Sequence, residues 1–226
     1  MTQFKKLLNL IQNNPKYLQF SGLMGYDAHV GKIPKIIKST TKTYEQSQVQ
    51  YQKYIRCLTS DFPTLNHRTL CFNGAGSPTF SLHTDHSVCN DISFGSMLVK
   101  PADFDLATLA DFQPALFIAT PVLKKLAATQ IPGLALLDKA PSHKNALFVY
   151  GGYWMANYVH PMGAQTNSLY GRSSNQELVN VPKSSDIQID DFVFLRATQS
   201  EAVISQFEQV WLYSGDGFTP WETFKA

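Results

Sequence analysis

The sequence predicts a protein of α/β plus β class, with half of a TIM-like α/β barrel over residues 1–112 followed by an antiparallel β domain over residues 113–226. Three observations predict it. Helices and strands alternate through the first part as α-β-α-β-turn-β, the rhythm of a parallel α/β layer. A glycine turn, Asn73-Gly74-Ala75-Gly76-Ser77-Pro78, directly follows a strand. From Ala115 onward helical periodicity fades into short strands separated by Gly, Pro, Ser and Asp. The first part yields only three convincing strands where eight close a barrel, so a partial barrel is expected.

The first helix opens at Thr2, which is placed to cap it, and Phe4, Leu7, Leu8 and Ile11 recur on one apolar face. Asn13-Asn14-Pro15 ends it. Residues 17–23 read as a strand running into Met24-Gly25-Tyr26-Asp27-Ala28-His29, a composition suited to a barrel strand end that meets a ligand. Tyr26 and His29 suit equally a packed aromatic and a surface histidine. A second helix over 41–60 offers Tyr44, Val49, Tyr51, Tyr54, Ile55 and Leu58 as its buried side.

A strand over 68–72 enters the glycine turn. Gly74 and Gly76 free the backbone to approach a ligand. Ser77 followed by Pro78 reads as an N-cap with proline at the first helical position. Strand, turn and helix start together aim several N–H groups at one spot, which suits a phosphate; the plain alternative is an ordinary tight turn. With no third glycine and no long helix behind it, the turn is not a dinucleotide fingerprint. Residues 91–99 read as a strand broken at Gly95. Residues 114–120 form a continuous apolar strand of the kind buried on both faces. Strands at 148–153, 177–181, 192–195, 202–204 and 210–213 complete the β domain, with Ser214-Gly215-Asp216-Gly217 as a hairpin turn and Trp221 in the last strand.

Composition narrows the function. A hydrophobic content of 44% and 226 residues suffice for a substantial core. The net charge of +2 gives no electrostatic argument for nucleic acid or an acidic membrane surface, and the densest basic cluster, Lys32, Lys35 and Lys38, reads as a solvated face. Three dispersed cysteines suggest neither a disulfide framework nor a metal knuckle. No apolar run has the length of a membrane span and no signal peptide opens the chain, so a cytoplasmic protein is expected.

The order of Gly22-Leu23-Met24-Gly25-Tyr26-Asp27-Ala28-His29, then Gly74-Ala75-Gly76-Ser77-Pro78-Thr79, then Gly95-Ser96, then a β domain resembles one family. That family is the fold-type III pyridoxal phosphate enzymes of the D-serine dehydratase and low-specificity D-threonine aldolase group, called alanine-racemase-like. The resemblance covers nearly the whole chain. It implies pyridoxal 5'-phosphate as cofactor, with its phosphate at Gly74, Ala75, Gly76 and Ser77, Tyr26 beside the pyridine ring, and His29 as a weaker contact. Gly95 and Ser96 would add a second backbone approach, while His83 and Asn90 lie near the strand without an assigned role. The implied activity is lyase chemistry on a β-hydroxy D-amino acid, in a homodimer where one subunit's β domain approaches the other's barrel.

Two departures stand out. The family's Schiff-base lysine lies on an early barrel strand, and no lysine here ends a predicted early strand. The chain therefore reads as the C-terminal part of a longer protein, inactive alone. The alternatives are a non-catalytic module that binds phosphate or pyridoxal phosphate, and a phosphate-binding α/β enzyme without that cofactor. Second, the family's β domain usually supplies a His-x-Cys or His-x-Asp metal pair, and Gln199 and Glu201 occupy those positions here. A neutral amide in place of an imidazole removes a strong zinc ligand, which argues against a divalent metal. The pair would instead make ordinary hydrogen bonds, or meet a substrate's ammonium or hydroxyl group.

Overall fold

Each of two units has its own core. The first holds residues 1–98 and 106–111, the second residues 99–105 and 112–226. The computed structural model describes residues 1–30, 33, 39–66, 69–84, 87–131, 133 and 143–224; Lys32, Lys35, Lys38 and Arg68 lie outside them.

In the first unit, α1 (Thr2–Asn13) and α2 (Thr40–Asp61) cover a sheet of three parallel strands, β1 (Gly22–Met24), β2 (Cys71–Gly74) and β3 (Asp91–Ile92), in that order. Leu8 of α1, Cys57 and Leu58 of α2, and Phe20, Phe62 and Leu70 form the core, with Leu23 and Phe72 packed against it. Leu23 and Phe72 are partners in register, so Gly22, Met24, Cys71 and Asn73 project from the opposite face. Thr2 is the first helical residue rather than the cap, a position held by Met1 without a side-chain bond. The cap of α2 is Ser39, whose hydroxyl accepts from the Lys42 N–H at 3.3 Å. Val49, expected on the buried side of α2, is exposed; Thr43 and Cys57 are buried instead.

The strand expected over 91–99 is only two residues long. Beyond Ile92 the chain turns through a 3-10 segment, Ser96–Leu98, because the Gly95 and Met97 N–H groups bond a side chain rather than a neighbouring strand.

The second unit is an antiparallel sheet of six strands: β4 (Phe117–Leu126), β5 (Lys144–Tyr150), β6 (Ala156–His160), β7 (Gln165–Thr166), β8 (Gln176–Pro182) and β9 (Phe192–Ala197). Their order is β6-β9-β4-β5-β8-β7, and the two end strands touch, which nearly closes a barrel. Register shifts in the β4/β5 and β6/β9 pairs bend the strands enough to curl the sheet. Ile118, Val122, Leu147, Val149, Val179, Val181, Val193 and Leu195 fill the inside. β4, expected to be buried on both faces, alternates instead: Ile118, Thr120 and Val122 point in while Phe117 and Ala119 face solvent, because its antiparallel neighbours enclose one side only.

The strand expected over 202–204 is a helical turn, α3 (Ser200–Ile204). One turn carries Val203 into the barrel core, which three apolar residues without a period could not foretell. A separate hairpin pairs β10 (Gln209–Tyr213) with β11 (Phe218–Glu222), as expected. Among the described residues no helix is long and apolar enough to cross a membrane.

Candidate functional site

The carboxyl ends of β1 and β2 converge on the glycine turn. At their amino ends Gly22 lets the two strands pair closely: its φ is +146°, and a Cβ there would collide with the Cys71 carbonyl. Downstream, residues 73–77 are all buried, and Ala75 takes the left-handed conformation with φ of 72°. A Cβ on Gly76 would strike the Tyr26 ring, and one on Gly74 would strike the Cys89 sulfur. The structure thus lays Tyr26, itself 69% exposed, directly against the turn.

The expected helix after the turn is a single 3-10 segment, Phe80–Leu82, whose first N–H bonds run to the Gly76 carbonyl at 2.9 Å. Ser77 does not cap it. Its hydroxyl accepts from the N–H groups of Gly95 and Met97 at 3.1 and 3.2 Å, tying the next loop to the turn. The Gly95 N–H is therefore engaged within the protein. Among the described residues, the N–H groups of Ala75, Gly76 and Ser77 have no acceptor. Buried N–H groups without acceptors are rare and unfavourable, so this cluster fits an anion.

Beneath the turn, Asn73 is 8% exposed. Its Nδ2 donates to the Asp91 carboxylate and to Ser93 Oγ. A carboxylate only accepts, which fixes the amide's orientation and leaves Oδ1 buried without a partner among the described residues. Tyr51 crosses the strand ends, its hydroxyl donating to the Leu23 and Asn73 carbonyls at 3.0 and 2.8 Å. Burial pushes its ionisation well above the ordinary tyrosine value, so it remains a donor.

Asp27 follows Tyr26 into the interior. Its carboxylate meets His83 Nε2 at 2.9 Å and accepts from Ser47 Oγ. The other ring nitrogen of His83 meets Ser87 Oγ at 2.9 Å, and the Tyr44 ring lies edge-on to the imidazole. His29 is exposed and lines a cavity of about 510 Å³ with Phe4, Leu23, Tyr26, Tyr51 and Tyr54. None of residues 74–77 lines that cavity, so it flanks the turn rather than containing it. In the second unit, Gln199 Nε2 donates to Asp103 at 3.3 Å and Glu201 accepts from the Ser200 hydroxyl. No group of three or more His, Cys, Asp or Glu among the described residues could hold a metal ion.

The Asp27–His83 pair and Asn73 escaped the sequence reading. Asn73 was within reach of it, as a polar residue ending a strand immediately before a glycine turn. Asp27 and His83 lie 56 residues apart, and nothing local joins them.

No family model and no curated protein matches the chain. Solved structures do match. A D-threonine aldolase from Filomicrobium marinum aligns at a TM-score of 0.63 and 15% identity, covering 90% of this chain and 52% of that one. An alanine racemase-like protein from Idiomarina loihiensis aligns at 0.65 and 12%, covering 96% and 59%. The metal-free C353A mutant of a D-threo-3-hydroxyaspartate dehydratase aligns at 0.59 and 12%, covering 91% and 56%. The chain spans a little over half the length of each. At these identities the likeness is one of fold, and the fold is the alanine-racemase-like one that the sequence predicts.

Proposed function

We propose that this chain binds pyridoxal 5'-phosphate, as part of a lyase-type protein acting on a β-hydroxy D-amino acid. The observation that carries the reading is the buried turn at residues 74–77, with three N–H groups that have no acceptor among the described residues and a tyrosine ring held against Gly76. Ala75, Gly76 and Ser77 would hold the phosphate through their N–H groups, and Tyr26 would lie beside the ring. When bound, the cofactor supplies an electron sink for a carbanion at the substrate's Cα. The chain's own part is to fix that group and exclude water from its phosphate. The fold of the matching aldolase and dehydratase supports this class. A cytoplasmic homodimer with a small D-amino acid as substrate belongs to the same proposal.

A second reading, a non-catalytic phosphate- or pyridoxal phosphate-binding module, is favoured by a specific observation. The features assembled at the turn bind, and several described lysines are engaged elsewhere: Lys5 pairs with Asp61, and Lys100, Lys125 and Lys144 donate to the Phe112 carbonyl, the Ile187 carbonyl and Gln165. The test is titration of the chain with pyridoxal phosphate, with inorganic phosphate as competitor, followed by borohydride reduction and mass mapping. Saturable binding that phosphate displaces and Gly76→Asp abolishes is expected. Equal binding of unphosphorylated pyridoxal would overturn the site. Borohydride-stable attachment to one lysine selects the catalytic reading, and reversible binding alone selects the module.

A further inference from the structure

Asp27 borders the cavity beside Tyr26 and His83 packs behind the glycine turn, so the pair joins the two segments that make the proposed cofactor surface. Asp27 is the residue after Tyr26, where the chain leaves β1. His83 follows the 3-10 segment behind the glycine turn. Their side chains are 7% and 0% exposed, and the contact between them is 2.9 Å. A Cβ on Gly74 would stand 3.3 Å from the His83 ring, so the imidazole packs against the turn on one side while Tyr26 packs against Gly76 on the other. Both ends are anchored further. Ser47 of α2 donates to Asp27, and Ser87, itself bonded by the Cys89 N–H at 3.1 Å, meets His83.

Buried polar pairs of this sort contribute little net stability, because desolvation offsets their attraction; what they do supply is a fixed geometry. We infer that Asp27 and His83 are positioning residues: the pair clamps the β1 exit to the glycine turn and so sets the Tyr26 ring at the distance a planar, phosphorylated ligand needs. The inference rests on the proposed cofactor site and deepens it. Neither residue touches the ligand, and their effect is transmitted through Tyr26.

That route of action gives a test that a merely structural role would fail. Affinities for pyridoxal phosphate and for inorganic phosphate are measured in the wild type, Tyr26→Ala, His83→Asn and the double variant. Tyr26→Ala and His83→Asn should each weaken pyridoxal phosphate by about tenfold, the worth of one good contact, and leave inorganic phosphate unchanged. The double variant should be no weaker than Tyr26→Ala alone, since contacting residues that act as one unit are not additive. Additive losses, or parallel loss of inorganic phosphate, would overturn the inference while leaving the site standing. A wild type that binds neither probe overturns both. Should His83→Asn fail to fold, Asp27→Ala in the same cycle reads the clamp from its other end.

Discussion

The two units solve the same problem in opposite ways. In the second, six antiparallel strands curl until their ends meet, and one inside face takes Val122, Leu147, Val149, Val179, Val181, Val193 and Leu195, all fully buried. In the first, three short parallel strands are covered by helices on one face only. The other face carries Gly22, Cys71, Asn73 and Met24, the last of these 84% exposed. Parallel sheets elsewhere are covered on both faces. Among the described residues the first unit holds a cluster of partnerless buried groups at one place, the N–H groups of residues 75–77 beside Asn73 Oδ1, whereas in the second Ser185 Oγ is a single partnerless buried side-chain atom. Clustered polar groups left unsatisfied are a cost that a binding surface retains for its ligand.

The largest expected effects test whether the units are independent. All three tryptophans, Trp154, Trp211 and Trp221, belong to the second unit, whereas the long helices α1 and α2 belong to the first. Tryptophan fluorescence and the far-ultraviolet helix signal therefore follow different units through a denaturant titration. Gly22→Ala, which drives a Cβ into the Cys71 carbonyl at a φ that disfavours side chains, should cost more than about 3 kcal/mol and move the helix transition. Leu147→Ala, from a fully buried position, should cost about 2–5 kcal/mol and move the fluorescence transition. If either variant moves both transitions together, the units unfold as one and the contrast drawn here collapses.

An intermediate effect sharpens the contrast within the first unit. Gly74→Ala meets the Cys89 sulfur, which can give only by rotating about one bond, so a loss of about 1–3 kcal/mol is expected in the helix transition. Cys89→Ala removes the colliding sulfur and leaves the new methyl with the position-89 Cβ at 3.4 Å, an ordinary contact, and the His83 ring at 3.3 Å, a slightly tight one. The double variant should recover most of the loss and with it phosphate affinity. Failure to recover stability would mean that the His83 ring, 3.3 Å from the same methyl, also limits the position, whereas recovered stability without recovered phosphate affinity would mean that the ligand itself requires Gly74.

What the sequence disclosed follows the same division. Period and turn chemistry were enough to place α1, α2, the glycine turn, and the β10–β11 hairpin, because each is decided by neighbours in the chain. They missed β6 and β7, whose residues carry too little apolar alternation, and they read residues 202–204 as a strand although Val203 reaches the core from a helical turn. Ser77 was read as a cap from the Pro78 beside it. Its actual bonds go to Gly95 and Met97, around twenty residues on, and long-range pairing leaves no local trace. The same holds for Asp27 with His83.

The smallest expected effect concerns charge, and it again sets one unit against the other. In the second unit the Arg196 fork donates to both carboxylate oxygens of Asp105 at 2.9 and 2.7 Å, and those bonds hold the carboxyl below its ordinary value of 3.8. In the first unit Lys5 pairs with Asp61; its hydrogen bond lowers the Asp61 carboxyl below 3.8, and Asp61 in return raises the Lys5 ammonium above 10.5. A carboxyl depressed in the folded state stabilises above its unfolded value near 4, and the contribution disappears as pH falls through the folded value. A raised ammonium stabilises below 10.5, and the contribution disappears as pH rises through the folded value. The pair in the first unit therefore has both an acid and an alkaline limit. A guanidinium stays protonated throughout, so the pair in the second unit has an acid limit only. Both carboxylates face solvent and each effect is slight. Unfolding midpoints should fall in both transitions above pH 10.0 as the partly buried Tyr51 and Tyr158 ionise on unfolding, and the Lys5 pair should show as a small further fall in the helix transition above pH 10.5 that Lys5→Met removes. A helix transition whose alkaline fall Lys5→Met leaves unchanged would show that Lys5 and Asp61 contribute nothing to it.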